Sequence, residues 1–154
     1  MYSDRFNKFI PFILEWECVF KKGHYNDYNY IAIENVKGDP GGPTFAGIDK
    51  SSHPHFDFTH PTLEKAKDVY WEEWQNEGIE AMEEGLGEAY YNCCVNAGIG
   101  RAKKIVLTTK TSKEFIDAQE QFYRRLAASR PSLKKFLNGW INRLTSLRKY
   151  LNIG

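Results

Sequence analysis

The chain is poor in the features that would mark it as disulfide-stapled, cysteine-metallated or membrane-spanning. Its three cysteines, Cys18, Cys93 and Cys94, form no CxxC or Cys/His pattern. An odd number so spaced argues against a disulfide framework or a thiolate metal site, and fits folding in a reducing cytosol. No stretch approaches the ~18 apolar residues of a membrane span. The N-terminus, Met-Tyr-Ser-Asp-Arg-Phe-Asn-Lys, has no apolar core followed by a small-residue cleavage site. A chain acting outside the membrane is then expected to be made in the cytoplasm and delivered by another agent. Internal repeats, low-complexity tracts and interdomain linkers are also missing.

What is present is globular. The 154 residues are 42% hydrophobic and 15% aromatic, with four Trp and nine Tyr. That length suits one domain burying roughly 70% of its unfolded surface. The aromatic excess also suits sugar binding. Net charge is +1, but eight Lys/Arg stand against seventeen Asp/Glu in residues 1–100, and thirteen against three in residues 101–154. A basic half of this kind can hold nucleic acid, anionic lipid or an anionic cell-wall polymer, or can attract the acidic half of its own chain.

Hydrophobic periodicity predicts a mainly helical protein with one loop-rich lobe. Ser3 is an N-cap for a helix carrying Phe6, Phe9, Ile10, Ile13, Leu14 and Val19 up to about Phe20, with Pro11 as a possible kink. Lys21 to Ser52 reads as a long loop with extended patches around Tyr28 to Val36 and Thr44 to Ile48, forming a small hairpin. A second helix starts at His60-Pro61-Thr62-Leu63-Glu64 and runs to Gly78. A third spans about Gly85 to Ala97, a short one Arg101 to Leu107, another starts at a Ser112 cap, and a last one runs from Arg130-Pro131-Ser132 to about Tyr150.

Glu17, beside Trp16 and Phe20 near the end of an apolar helix, is where partial burial would favour a protonated carboxyl suited to general-acid work. Its neighbour Glu15 competes for the part, and only facing distinguishes the two. In Asp39-Pro40-Gly41-Gly42 the fixed and free backbone angles can present a carboxylate to a groove, or make an ordinary turn. Thr44 opens a strand-like segment and could hold a water or satisfy a backbone group. Cleavage of a glycosidic bond needs an acid for the leaving oxygen and a second polar group for the water or the cation, and Glu17, Asp39 and Thr44 could supply that set. Asn92 and Asn96, four apart on an apolar helix, could bond acetamido groups or be satisfied buried amides. Trp71, Trp74 and Trp140 could stack on sugars or fill the core. His53, His55 and His60 have no helical ligand spacing, so neither a metal nor another cofactor is expected.

Taken together, Glu17 with Phe20, then Tyr25-Asn26-Asp27, then Asp39-Pro-Gly-Gly-Pro-Thr-x-x-Gly-Ile resembles the N-terminal signature of the N-acetylmuramidases of glycoside hydrolase family 108. Tyr91-Asn92-Cys93-Cys94-Val95-Asn96-Ala97-Gly98-Ile99-Gly100-Arg101-Ala102 is similar to that family's second block, and Phe136 to Arg143 to its closing one. The matches run in order over roughly residues 13 to 143. Two features depart from the pattern: Cys18-Val19 stands where the family usually has Gly-Gly, and a Tyr- and Asn-rich insertion separates Phe20 from Asp39. The connection at Thr108 to Thr111 is also shorter than the family's usual one.

The resemblance implies a single lysozyme-like domain (mainly α, α+β), with residues 1–84 as the catalytic lobe and 85–154 as a helical, peptidoglycan-binding lobe. It implies hydrolysis of the β-1,4 bond between N-acetylmuramic acid and N-acetylglucosamine. Glu17 would be the acid, assisted by Asp39 and Thr44, with Tyr25, Asn92, Asn96 and Trp140 toward the substrate. The expected partners are peptidoglycan strands and anionic envelope polymers, without nucleic acid or stable membrane insertion, for a monomer of phage or prophage origin. Rival readings are a lytic transglycosylase using Glu17 alone, an inactive wall-binding protein and, from charge alone, a nucleic-acid binder.

Overall fold

In a computed structural model of the chain, residues 1–35 and 41–154 are described. They form two compact units, residues 1–77 and 78–154. Among the described residues there are six α-helices and one three-stranded antiparallel sheet. This is the mainly α architecture with a small β lobe that the hydrophobic pattern predicts.

The N-terminal unit begins with α1 (Asp4–Glu17), whose Ser3 cap accepts the Phe6 N–H at 3.1 Å. Phe6, Phe9, Ile10, Ile13 and Leu14 are buried along one face, while Pro11 sits on the exposed side. The helix stops at Glu17, three residues before the expected Phe20, because Cys18 turns extended (φ −79°, ψ 135°). The next residues join the β lobe instead. Val19 O accepts the Ala32 N–H at 2.7 Å, and the Lys21 N–H donates to Tyr30 O at 2.8 Å. The sheet continues as β1 (Ile33–Glu34), β2 (Thr44–Phe45) and β3 (Ile48–Asp49), with Ile33 opposite Phe45 and Phe45 opposite Ile48. Helix α2 (Leu63–Asn76) starts at Thr62, whose hydroxyl accepts the Lys65 N–H at 3.1 Å. It packs on α1 through Phe6, which meets Trp71 and Trp74 edge-on at 5.1 and 5.5 Å. Each such pair contributes about 0.5–1.5 kcal/mol beyond area burial.

The C-terminal unit comprises a 3-10 turn (Ile79–Ala81), α3 (Leu86–Ala97), α4 (Ile99–Val106), α5 (Ser112–Ser129), a second 3-10 stretch (Pro131–Phe136) and α6 (Leu137–Tyr150). The N-cap of α5 is Thr111, not Ser112: its hydroxyl accepts the Glu114 N–H at 3.1 Å. The last helix begins six residues later than expected, since Pro131 opens the tighter 3-10 stretch before α6. Tyr91, Cys93, Phe115, Ile116, Leu144 and Leu147 are among its fully buried residues. Burial pushes the Cys93 thiol up to about 12 despite the opposing charges of Arg101 and Arg143. Helices α5 and α6 are tied by Arg148, which donates to Asp117 and Glu120 at 2.9 Å each.

Candidate active site

Glu17 ends α1 half-buried, whereas Glu15 points to solvent, so facing separates the two carboxylates. The side chain of Glu17 lies against the loop of the β2–β3 hairpin. A methyl group placed on Gly47 would stand 2.7 Å from Glu17 Oε1, 2.8 Å from Glu17 Cβ and 2.5 Å from the Tyr70 hydroxyl oxygen. No side chain fits there. Ala46 (φ 50°) and Gly47 (φ 82°) are both left-handed, the requirement of a two-residue type I′ hairpin, whose twist matches its flanking strands. The Tyr70 hydroxyl, from α2, donates to Ala46 O at 2.7 Å in buried surroundings.

Thr44 is half-buried in β2, opposite Glu34 on one side and Asp49 on the other, two residues from this turn. Asp39 lies outside the described residues. Tyr25 is 85% exposed, with its ring 6.2 Å from that of Phe20 in an edge-on contact. Neither Cys18 nor Val19 has a positive φ, so the backbone here does not call for glycine. Cys18 is buried, and that burial, followed by the neighbouring Glu17 charge, pushes its thiol up to about 12. A cavity of ≈ 850 Å³ opens beside the sheet, lined by Lys21, Tyr28, Ile31, Ile33, Phe45 and Glu64 among others, but not by Glu17 or Thr44.

The remaining candidates belong to the C-terminal unit. Asn92 exposes no surface, and its carboxamide oxygen accepts from Arg143 Nε at 2.9 Å, so here it is a buried amide. Asn96 is half-buried and donates to the Tyr123 hydroxyl at 2.6 Å. Trp140 stacks on Tyr123 with centroids 4.8 Å apart and lies 6.0 Å from the half-exposed Phe136. Of the tryptophans of α2, Trp74 is wholly buried against Phe6. His53 is taken up by Glu73, and His60 stands 4.0 Å from Asp57. Sequence reasoning gave Ala46, Gly47 and Tyr70 no part in the site, although Gly47 stands in the signature. The local signal for the turn was an Ala-Gly pair inside what read as a continuous extended segment.

Comparison with known proteins decides the family. The profile described as "Glycosyl hydrolase 108" matches residues 12–98, more than half of the chain, and takes in both Glu17 and the Gly47 turn.

The chain belongs to the glycosyl hydrolase 108 family.

A second profile, described as "Predicted Peptidoglycan domain", matches residues 78–145 of this glycosyl hydrolase and begins where its C-terminal unit begins. The solved structure of Brucella abortus SagA is similar over 95% of this chain and 92% of its own, with a TM-score of 0.69 at 17% identity. A likeness at that identity speaks for the fold. No curated protein matches. This member of glycosyl hydrolase 108 is accordingly a peptidoglycan hydrolase of the N-acetylmuramidase type. Among its described residues, no helix is long and apolar enough to cross a membrane.

Proposed function

We propose that Glu17 is the general acid of this muramidase. The carboxyl of Glu17 donates its proton to the glycosidic oxygen between N-acetylmuramic acid and N-acetylglucosamine as that bond breaks. Asp39 stabilises the positive charge on the sugar ring or takes a proton from the attacking water, and Thr44 holds that water. The water's hydroxyl ends on the anomeric carbon, leaving a reducing N-acetylmuramic acid. The observation that carries this reading is the setting of Glu17: half-buried at a helix end and packed closely against the Ala46–Gly47 turn, which narrows the space open to a proton donor. Tyr25 and Trp140 offer rings to sugar faces and Asn96 its amide to an acetamido group, while Asn92 acts from the interior by holding Arg143. Residues 1–84 and 85–154 then serve as catalytic and wall-binding lobes of one lysozyme-like enzyme.

Anionic envelope polymers are the proposed second partner. Lys103, Lys104, Arg130, Lys134 and Lys135 are exposed, while Asp117 and Glu120 are engaged by Lys113, Arg124 and Arg148. That leaves cations in excess on the surface of residues 101–154. A phage or prophage origin, with passage from the cytoplasm through a holin lesion or a secretion machine, completes the proposal.

Mass spectrometry of fragments from digested sacculi tests the reaction. Hydrolysis yields muropeptides with reducing N-acetylmuramic acid ends. Anhydro ends, lighter by one water, would make the protein a transglycosylase, and intact sacculi would make it a wall-binding protein.

A further inference from the structure

We infer that Tyr70 is a positioning residue for the acid, acting through the Ala46–Gly47 turn; this rests on the reading of Glu17 given above. Two residues of this turn are left-handed, yet only one is glycine. Ala46, at φ 50°, is in a region where an L side chain costs roughly 1–2 kcal/mol. Asn, Asp or Gly would be usual at this place in a type I′ hairpin. Ala46 is 2% exposed, so a larger or polar residue would have to be accommodated in the interior.

Something must offset that cost, and the hydroxyl of Tyr70 is placed to do so. It donates to Ala46 O at 2.7 Å, satisfying a carbonyl that has little access to water. Tyr70 is itself 2% exposed and sits on the buried face of α2 beside Ala66 and Trp74. Its ring cannot reach a substrate without rearrangement, so it is no catalytic residue. Its oxygen nevertheless shares with Glu17 Oε1 the space that a Gly47 side chain would need. α2 thus clamps the turn from one side, and the turn limits the positions open to the acid's carboxyl. Misplacing a reacting group by ~1 Å can cost about 10²-fold in rate.

The test measures turnover of purified peptidoglycan by wild type, Tyr70→Phe, Glu17→Gln and the double variant, with folding monitored by circular dichroism. Tyr70→Phe keeps the ring and removes only the hydroxyl. It is expected to lower kcat about 10- to 100-fold with little change in KM, because an interaction felt in the transition state is lost. Added to Glu17→Gln it is expected to cost nothing further, since the group it positions has already gone. A Tyr70→Phe enzyme with native kcat, while Glu17→Gln is inactive, overturns the clamp and leaves the acid in place. An equal fold-loss from Tyr70→Phe in both backgrounds also overturns it, as that is the mark of a merely structural residue. Native activity in Glu17→Gln overturns the acid, and the clamp with it. Should Tyr70→Phe fold poorly, Ala46→Gly/Tyr70→Phe carries the same comparison, because glycine enters the left-handed turn without the steric cost.

Discussion

Gly47 and Glu17 are fitted to each other: the hydrogen of the glycine faces the carboxyl-bearing side chain at a distance where even a methyl group would come within 2.7 Å of Oε1. A helix end and a hairpin loop, thirty residues apart in sequence, meet at a point with no slack.

Gly47→Ala is therefore expected to be costly twice. The left-handed φ of 82° penalises any L side chain by roughly 1–2 kcal/mol, and the added methyl forces overpacking that typically costs about 1–3 kcal/mol more. Chemical denaturation is expected to show a loss in that combined range, and wall-clearing activity is expected to fall further than the folded fraction does, because the displaced group is the acid. A variant with native stability and native activity would mean that the turn moves aside freely.

The second prediction concerns pH. His53 Nε2 stands 2.8 Å from Glu73 Oε1, joining the segment after β3 to α2, and Nδ1 stands 3.3 Å from Asp49 O and 3.9 Å from Asp49 Oδ1. The hydrogen bond that the ring donates to Glu73 raises the imidazole above its ordinary value; burial opposes the shift without cancelling it, and the Glu73 and Asp49 charges add to it. Stabilisation from a raised histidine is complete below the unfolded value of about 6.5 and is lost as pH rises through the folded one. Melting temperature is thus expected to fall above about pH 6.5 more steeply in wild type than in Glu73→Gln. Parallel curves would contradict the pairing.

The third concerns salt. Exposed cations such as Lys103, Lys104, Lys134 and Lys135 interact with anionic polymer through water, so raising salt shortens their range to a few ångströms. Retention on sacculi is expected to decline between low salt and ~0.5 M, and replacing Lys134 and Lys135 with Gln is expected to flatten that decline. Salt-independent retention would remove the electrostatic partner.

Much of the architecture was legible because the signals are local. Ser3 caps its helix as read, the second helix starts within residues 60–64 as read, and Phe6, Phe9, Ile10 and Ile13 face inward at the spacing that predicts it. The errors arise where a tertiary partner overrides a local preference. Val19 continues the helical pattern, yet the backbone pairing between Val19 and Ala32 takes that residue into the β lobe. The turn at Ala46 was hidden because alanine is a poor left-handed residue, and its support comes from Tyr70, twenty-four positions away. Tyr70 lies on the buried face of α2, and nothing local in the chain ties it to that turn. For Glu17 the residue type and the signature were readable in the chain, but the choice between it and Glu15 rests on facing, which the fold supplies.

The most direct measurement compares Glu17→Gln with Glu15→Gln in the release of reducing ends from purified peptidoglycan. Removing the proton donor while keeping its shape is expected to lower turnover by on the order of 10²–10⁴ in Glu17→Gln, with Glu15→Gln close to wild type. A Glu17→Gln enzyme that clears cell walls at the native rate would contradict the account.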